Sequence, residues 1–390
     1  MAHKAILAVR IAAIPTSVAA IAFIEFMRPF FELPLFALGA GFVLLAVLTS
    51  VLRGRRRDLV LIATSSVFGM LVVEAVAEHI APAPPQRVDT PKLSVYWPEM
   101  GWGPRPGQIH EKEINPITKA TIYEVDYTIG SNLLRQTRSC DACATVVFFG
   151  DSFTFGHGVN DADTLPQAFA NIFDRKLRVL NLAFPGYGPQ HFLRELQNGR
   201  FDEVIGPRPK LFVFLTAAWH AERTACKRHW LRDAPRYALE QGRLVYTGAC
   251  AARKLWLPDW IAQTAIYRAF IDPVVKKPTY GDVDLYIRIL LAAADLAREK
   301  YGAPTLIAYL KVPDAYLRGT GFSNAEIVRR LQDGHAAVVD VTLSKQRAAD
   351  ISIPGDGHPT PYANRLRAAI HKNYIQGVPG LSESMGIDRR

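Results

Sequence analysis

Charge is what the front of this chain lacks. Its first 80 residues hold 7 Lys or Arg and 5 Asp or Glu, against 39 and 31 in the remaining 310. Such scarcity excludes an ordinary solvated domain there, which would carry charge at about a quarter of its positions. Cysteine is scarce too. Four residues in 390, Cys140, Cys143, Cys226 and Cys250, exclude a disulfide-dense miniprotein. Cys140 and Cys143 make one CxxC, but no second CxxC or paired histidines complete a zinc site, so no metal is expected. A redox pair, structural disulfides and free thiols all stay open for the four. No internal repeat or low-complexity tract is present, and a hydrophobic content of 49% excludes a disordered or collagenous chain. The net charge is +10, yet no aromatic-basic stacking pattern accompanies it, so nucleic acid is not expected as a partner.

Apolar residues fill the charge-poor front. Three stretches run from Ala5 to Met27, from Phe30 to Leu52 and from Leu59 to Ile80. Each has the roughly 20 residues that cross a hydrocarbon core of about 30 Å. Residues 1–80 are therefore expected to form a membrane anchor of three transmembrane helices. Glu32, Glu74 and Glu78 lie toward the ends of their stretches, where side chains reach the headgroups. Arg53, Arg55, Arg56 and Arg57 cluster between the second and third stretches, and basic short loops stay cytoplasmic. The expected topology is a multi-pass protein of a bacterial inner membrane, N-terminus cytoplasmic and C-terminal domain periplasmic or otherwise extracytoplasmic.

Beyond the anchor the pattern changes twice. Ala81 to Pro85 reads APAPP, a stiff spacer. It opens a linker and β-containing lead-in over residues 81–144, with Thr121 to Thr128 strand-like. From Thr145 strands and helices alternate. Strands are expected at Thr145–Phe149, Arg178–Leu182, Leu211–Leu215, Thr305–Leu310 and Ala336–Val341. Helices are expected at Thr164–Phe173, Pro189–Gln197, Asp282–Lys300, Asn324–Leu331 and Thr360–Lys372. Five such alternations imply a parallel sheet with helices on both faces. The domain is bounded at 145–375, with a tail at 376–390. Residues 216–281 are too many for a simple crossover and read as an insertion after the third strand.

The first strand ends in Gly150-Asp151-Ser152-Phe153. Reactive groups of an open α/β sheet gather beyond the carboxyl ends of its strands, which places Ser152 at such an edge as a candidate nucleophile. A serine hydroxyl needs a base within hydrogen-bond reach. His358, in Asp356-Gly357-His358-Pro359 after the fifth strand, is the candidate, with Asp356 to hold its tautomer. Asp151 is assigned to the turn. His157 and His191 are assigned structural roles.

These blocks resemble those of the SGNH hydrolase, or GDSL-like, superfamily, over roughly Thr145 to Ile370. GDSFTFG, Gly150 to Gly156, matches the block of the nucleophilic serine. NLAFPGYG, Asn181 to Gly188, is similar to the block whose glycine donates an N–H to the oxyanion, and Gly186 is the match. DGHPT, Asp356 to Thr360, matches the Asp and His block, spaced D-x-H where D-x-x-H is common. The resemblance implies a flavodoxin-like three-layer α/β/α sandwich with a five-stranded parallel sheet, and acyl-ester chemistry without a cofactor. It also implies an Asn after the third strand as an oxyanion donor, and here Thr216 to Arg223 reads TAAWHAER. His220 is the candidate replacement in the oxyanion hole beside the Ser152 and Gly186 N–H groups. Arg223 is a candidate for binding an anionic substrate group, or for an ion pair with Glu222 or Asp233.

Three functions fit these residues. One is a membrane-anchored serine esterase acting on an acylated small molecule, lipid or glycan outside the cytoplasm. Another is an O-acyltransferase that passes the acyl group from Ser152 to a cell-envelope polysaccharide, with an unidentified membrane acyl-donor partner. The third is a catalytically silent binding module of the same fold, which the absent Asn favours and the intact Ser152, Asp356 and His358 oppose.

Overall fold

Apolar helices and a buried parallel sheet divide the chain between two units. A computed structural model describes residues 33–81, 84–253 and 259–385. One unit comprises Met1–Pro84 with Leu257–Val275, the other Pro85–Trp256 with Lys276–Arg390. In the first, α1 (Leu33–Val51) and α2 (Arg55–Ile80) pack side by side. Gly54, at φ 58°, makes the left-handed turn between them. Phe42 meets Phe68 at 5.3 Å between ring centres. Both helices are long and apolar enough to cross a membrane. The expected segment from Ala5 to Met27 lies outside the described residues.

Glu74 and Glu78 differ from expectation. Their carboxylates do not simply extend toward headgroups. Glu74 is buried and accepts the backbone N–H groups of Ala265 and Ile266 at 2.6 and 3.0 Å. Glu78 pairs with Arg268 at 2.6 Å. Residues 257–275 of the predicted insertion thus belong with the apolar helices.

The second unit opens with an antiparallel sheet, β1 (Gln86–Thr90), β2 (Gly107–Ile114) and β3 (Thr121–Ile129), in the order β1-β2-β3. Period-2 alternation turns Ile109, Glu111 and Glu113 inward, opposite Tyr123, Val125 and Tyr127. The parallel sheet follows with β4 (Thr145–Phe149), β5 (Arg178–Asn181), β6 (Leu211–Ala217), β9 (Thr305–Leu310) and β10 (Ala337–Asp340). Its order is β10-β9-β6-β4-β5, all neighbours parallel. Counted within the sheet this is 2-1-3-4-5, the flavodoxin-like doubly wound order. β4, β6 and β9 are buried throughout, because helices cover both faces. On one side the helix Leu165–Ile172 packs against Pro361–Gly377, and on the other Pro189–Asn198 packs against Tyr280–Tyr301. The topology reverses between β4 and β6, and beyond the carboxyl ends of strands at such a reversal open α/β sheets generally bind ligands.

Of the remaining insertion, β7 (Pro235–Glu240) and β8 (Arg243–Ala249) form a hairpin. Its turn residues Gln241 and Gly242 have φ of 51° and 80°. The Cys226–Cys250 disulfide ties its base, and Cys140 is bonded to Cys143. In the predicted tail, Pro379–Met385 is helical and buries Leu381 and Met385.

Arg135 secures the chain around the GDSFTFG block. Its buried guanidinium donates to the Phe155, Gly156 and Val159 carbonyls at 3.1, 2.7 and 2.8 Å and to Asp161 at 2.9 Å. It also lies over the Tyr127 and Phe155 rings. Removing one member of a buried ion pair typically costs about 3–5 kcal/mol. Arg135→Met is expected to lose about that much in denaturant unfolding of the detergent-solubilised protein, and a loss below about 1 kcal/mol would remove this role.

Candidate active site

The site begins where β4 stops. Gly150 turns the chain at φ 150°, and a Cβ there would come within 2.3 Å of the Thr154 hydroxyl, so only glycine fits. Asp151 caps the short helix Ser152–Phe155, its carboxylate accepting the Phe153 N–H at 3.0 Å. Ser152 is thereby held at the first helical position, beyond the carboxyl edge of the sheet.

His358 reaches the same place from the far end of the sequence. The loop after β10 closes on itself through Ile353 N–H to the His358 carbonyl at 2.8 Å and Gly357 N–H to the Ile353 carbonyl at 2.9 Å. Gly357 adopts φ 95°, a left-handed bend that folds the D-x-H spacing back on itself. His358 Nδ1 lies 2.7 Å from Asp356 Oδ2, and the same oxygen accepts the His358 backbone N–H at 3.0 Å. His358 Nε2 lies 2.8 Å from Ser152 Oγ. Ser152, His358 and Asp356, 206 residues apart at the extreme, thus form one continuous hydrogen-bonded chain.

Gly186 occupies the turn after β5. Its φ is 83°, and a Cβ would come within 3.0 Å of Trp102 and 3.1 Å of Trp230. Trp102 of the lead-in donates its indole N–H to the Pro185 carbonyl at 2.9 Å and receives the Tyr187 hydroxyl on its own carbonyl at 2.8 Å. Among the described residues the Ser152 and Gly186 N–H groups have no acceptor.

His220 and Arg223 sit elsewhere in the chemistry than the sequence suggested. The buried His220 ring lies with Nδ1 2.7 Å from the Thr216 hydroxyl and Nε2 3.2 Å from Asp151 Oδ2. Both nitrogens are engaged, whichever carries the proton, so the ring is not placed to serve an oxyanion. Arg223 pairs with Asp151 at 3.1 Å and donates to the Tyr187 carbonyl. It is not free for a substrate anion, and Glu222 instead pairs with Arg228 at 2.6 Å. Burial opposes ionisation of Asp151, but the Arg223 cation and the His220 hydrogen bond outweigh it and hold the carboxyl well below the usual range.

A second polar group, unforeseen from sequence, lies behind His358. The His157 ring sits 4.4 Å from the His358 ring between centres, with Phe153 on another side at 5.6 Å. His157 Nε2 is 2.7 Å from the Tyr123 hydroxyl, which is also 3.0 Å from Glu111 and 2.8 Å from Glu113. Burial, then the neighbouring His358 and arginines, push His157 well below its ordinary value, so it stays neutral. Burial raises Glu111 and Glu113. The available signal was the shared parity of Ile109, Glu111 and Glu113, which marked the acids as inward-facing. His157, Asp356 and His358 each offer a ligand atom within 4.8 Å of the others, but Asp356 and His358 are already hydrogen-bonded to each other, and His358 to Ser152.

No protein-family model and no curated protein matches the chain. Among solved structures it is similar to the psychrotrophic esterase EstA from Pseudoalteromonas sp., at 11% identity and TM-score 0.35, over 60% of this chain and 97% of that one. It is similar to the lipase/acylhydrolase from Enterococcus faecalis, at 14% and 0.35, over 60% and 96%. A carbohydrate acetylesterase family member from Sinorhizobium meliloti is similar at 12% and 0.34, over 63% and 100%.

The His220 environment sets a pH dependence. Burial and the Arg223 cation push its imidazole down to about 4, with Asp151 opposing them. An unfolded histidine takes its proton near pH 6.5. Between about 6.5 and 4 the unfolded chain therefore binds more protons, and the stability present above this window is lost as pH falls through it. His220→Gln lacks this titration, while Glu195, which burial pushes up to about 8, titrates in both proteins and cancels. Unfolding free energies at pH 6.5 and 4.5 should show the parent losing up to about 1.4 kcal/mol per pH unit more than His220→Gln, and parallel losses would reject the buried-neutral assignment.

Proposed function

We propose that this chain is a membrane-anchored serine ester hydrolase of the SGNH type, acting on an ester-linked acyl group outside the cytoplasm. The observation that carries the reading is the unbroken Ser152–His358–Asp356 hydrogen-bonded chain at the carboxyl edge of the sheet. The three sequence blocks support it independently. In this mechanism Ser152 Oγ attacks the ester carbonyl and gives its proton to His358 Nε2. Asp356 accepts the Nδ1–H and stabilises the imidazolium. The oxyanion is received by the Ser152 and Gly186 N–H groups, whose lack of other acceptors suits them to it. His358 then protonates the departing alcohol, and water, activated by the same ring, releases the acyl group. The engaged state of His220 leaves a two-donor oxyanion hole, so the catalytic rate is expected to sit below that of a three-donor site by on the order of 10²–10³.

Residues 53–57, basic and between two apolar helices, support a cytoplasmic turn. That reading places the α/β unit on the outer side of the inner membrane.

Two outcomes are expected. A fluorophosphonate probe labels the full-length protein and does not label Ser152→Ala, while Asp356→Asn hydrolyses p-nitrophenyl acetate slower by on the order of 10⁴; undiminished labelling of Ser152→Ala would remove the nucleophile assignment. An alkaline phosphatase reporter fused after Arg390 is active, whereas a fusion whose reporter works only in the cytoplasm and is active there would overturn the orientation.

A further inference from the structure

We infer that residues 259–275 form an interfacial membrane segment, seated in the outer headgroup region of the bilayer and latched to the end of α2. The inference rests on the reading that α1 and α2 span a membrane, and adds a lipid-binding surface to it. The segment consists of a short helix, Asp259–Ala262, and, after a break, a helical run in which Tyr267–Ile271 continues directly into Asp272–Val275. Seventeen residues broken this way are too short to cross a core that needs roughly 20. The chain enters the segment from the α/β unit and returns to it, as an interfacial segment requires and a single crossing forbids.

Its two sides differ in chemistry. The inner side is polar and specific. Both Glu74 carboxylate oxygens are occupied, by the Ala265 and Ile266 N–H groups. Arg268 pairs with Glu78 at 2.6 Å and donates to the Ala81 carbonyl at 3.2 Å. The outer side is apolar and exposed: Trp260 by 65%, Phe270 by 52% and Val274 by 73%, with Ile271 and Val275 beside them. Five large apolar side chains on so short a segment are poorly suited to water. A tryptophan among them suits the membrane–water boundary.

Depth points the same way. Glu74 stands six residues before the end of α2, about 9 Å along a helix rising 1.5 Å per residue. Interfacial helices sink roughly 5–10 Å into the headgroup and acyl boundary. At the same level of α2, Val72, Val73, Val76 and Ile80 are exposed on the face turned away from Glu74 and Glu78, so the helix is still apolar toward its surroundings at the depth where the segment docks. In sequence the segment is bracketed by Arg253-Lys254 and Lys276-Lys277, cations that attract anionic headgroups. A bilayer is the occupant that matches an apolar face, a basic border and a transmembrane neighbour together.

The test uses the full chain in nanodiscs of phosphatidylcholine and phosphatidylglycerol. All four native cysteines are paired, so a nitroxide attaches only to an introduced thiol. Val274→Cys, Phe68→Cys and Gln241→Cys report on the segment, the spanning helix and the hairpin tip. Collisional accessibility to oxygen and to a water-soluble nickel chelate is measured at each. The oxygen-to-nickel ratio at Val274 should match that at Phe68 in sign and exceed that at Gln241 by at least about five-fold. An oxygen-favoured Phe68 with a nickel-favoured Val274 would overturn the interfacial segment and leave the anchor standing. Nickel-favoured labels at both positions would overturn the anchor and the segment together.

Discussion

Three loops at the carboxyl edge of the sheet hang on the Asp151 carboxylate. It lies at the end of β4 and is touched from three directions. Its own helix donates the Phe153 N–H, and the turn after β6 brings His220 and Arg223. Through Arg223 it also commands the turn after β5, since that guanidinium donates to the Tyr187 carbonyl one residue past Gly186. One buried anion therefore fixes the mutual positions of three loops, two of which carry Ser152 and the proposed oxyanion glycine. A buried carboxylate persists as an anion only if its neighbours compensate the lost hydration. The compensation and the geometry are the same contacts.

This arrangement accounts for the sequence departure after β6. An asparagine there would offer an amide to an oxyanion. The residues present offer an imidazole and a guanidinium to an anion the protein already contains. The His220 ring passes the constraint onward, from Asp151 to the Thr216 hydroxyl and from there to Tyr286 at 3.1 Å on the helix Tyr280–Tyr301. Positioning of Ser152 is thus tied into the core behind the sheet, and in the proposed mechanism the oxyanion is left to backbone N–H groups. Backbone donors at a capped turn need no rotamer to be held, which partly offsets their smaller number.

How much of this was legible in sequence depended on whether a residue's partners are local or distant. The five strands were readable because each is a short apolar run, which a doubly covered parallel sheet demands. β4 and β9 fall at the expected boundaries, while β6 runs two residues longer, to Ala217. The juxtaposition of Ser152, Asp356 and His358 was readable because strand ends gather at one edge whatever the separation along the chain. His220 and Arg223 were noticed and given the wrong partners, since nothing in TAAWHAER says that an Asp 69 residues earlier will face it. Glu74 and Glu78 were read as polarity at the end of an apolar stretch for the same reason. Their partners lie about 190 residues away, inside what looked like a single insertion.

The lead-in shows the converse case, a feature legible in pattern but not in purpose. Strand alternation puts Glu111 and Glu113 on a buried face, where isolated acids are costly. Tyr123, Tyr127 and Arg87 supply them with partners, and His157 joins the group from beside the nucleophile helix. The result is a neutral imidazole packed on the His358 ring with a hydrogen-bonded acid cluster behind it. Asp356 holds His358 by one edge and Ser152 meets the other. Phe153 and His157 restrict the remaining freedom, rotation of the ring out of that line. In the proposed mechanism a base that exchanges its proton with Ser152 on one side and holds Asp356 on the other works only within a narrow range of ring angles. The antiparallel sheet that precedes the parallel one therefore helps to hold the proposed base, because Tyr123 on it supplies the His157 ring with its hydrogen bond.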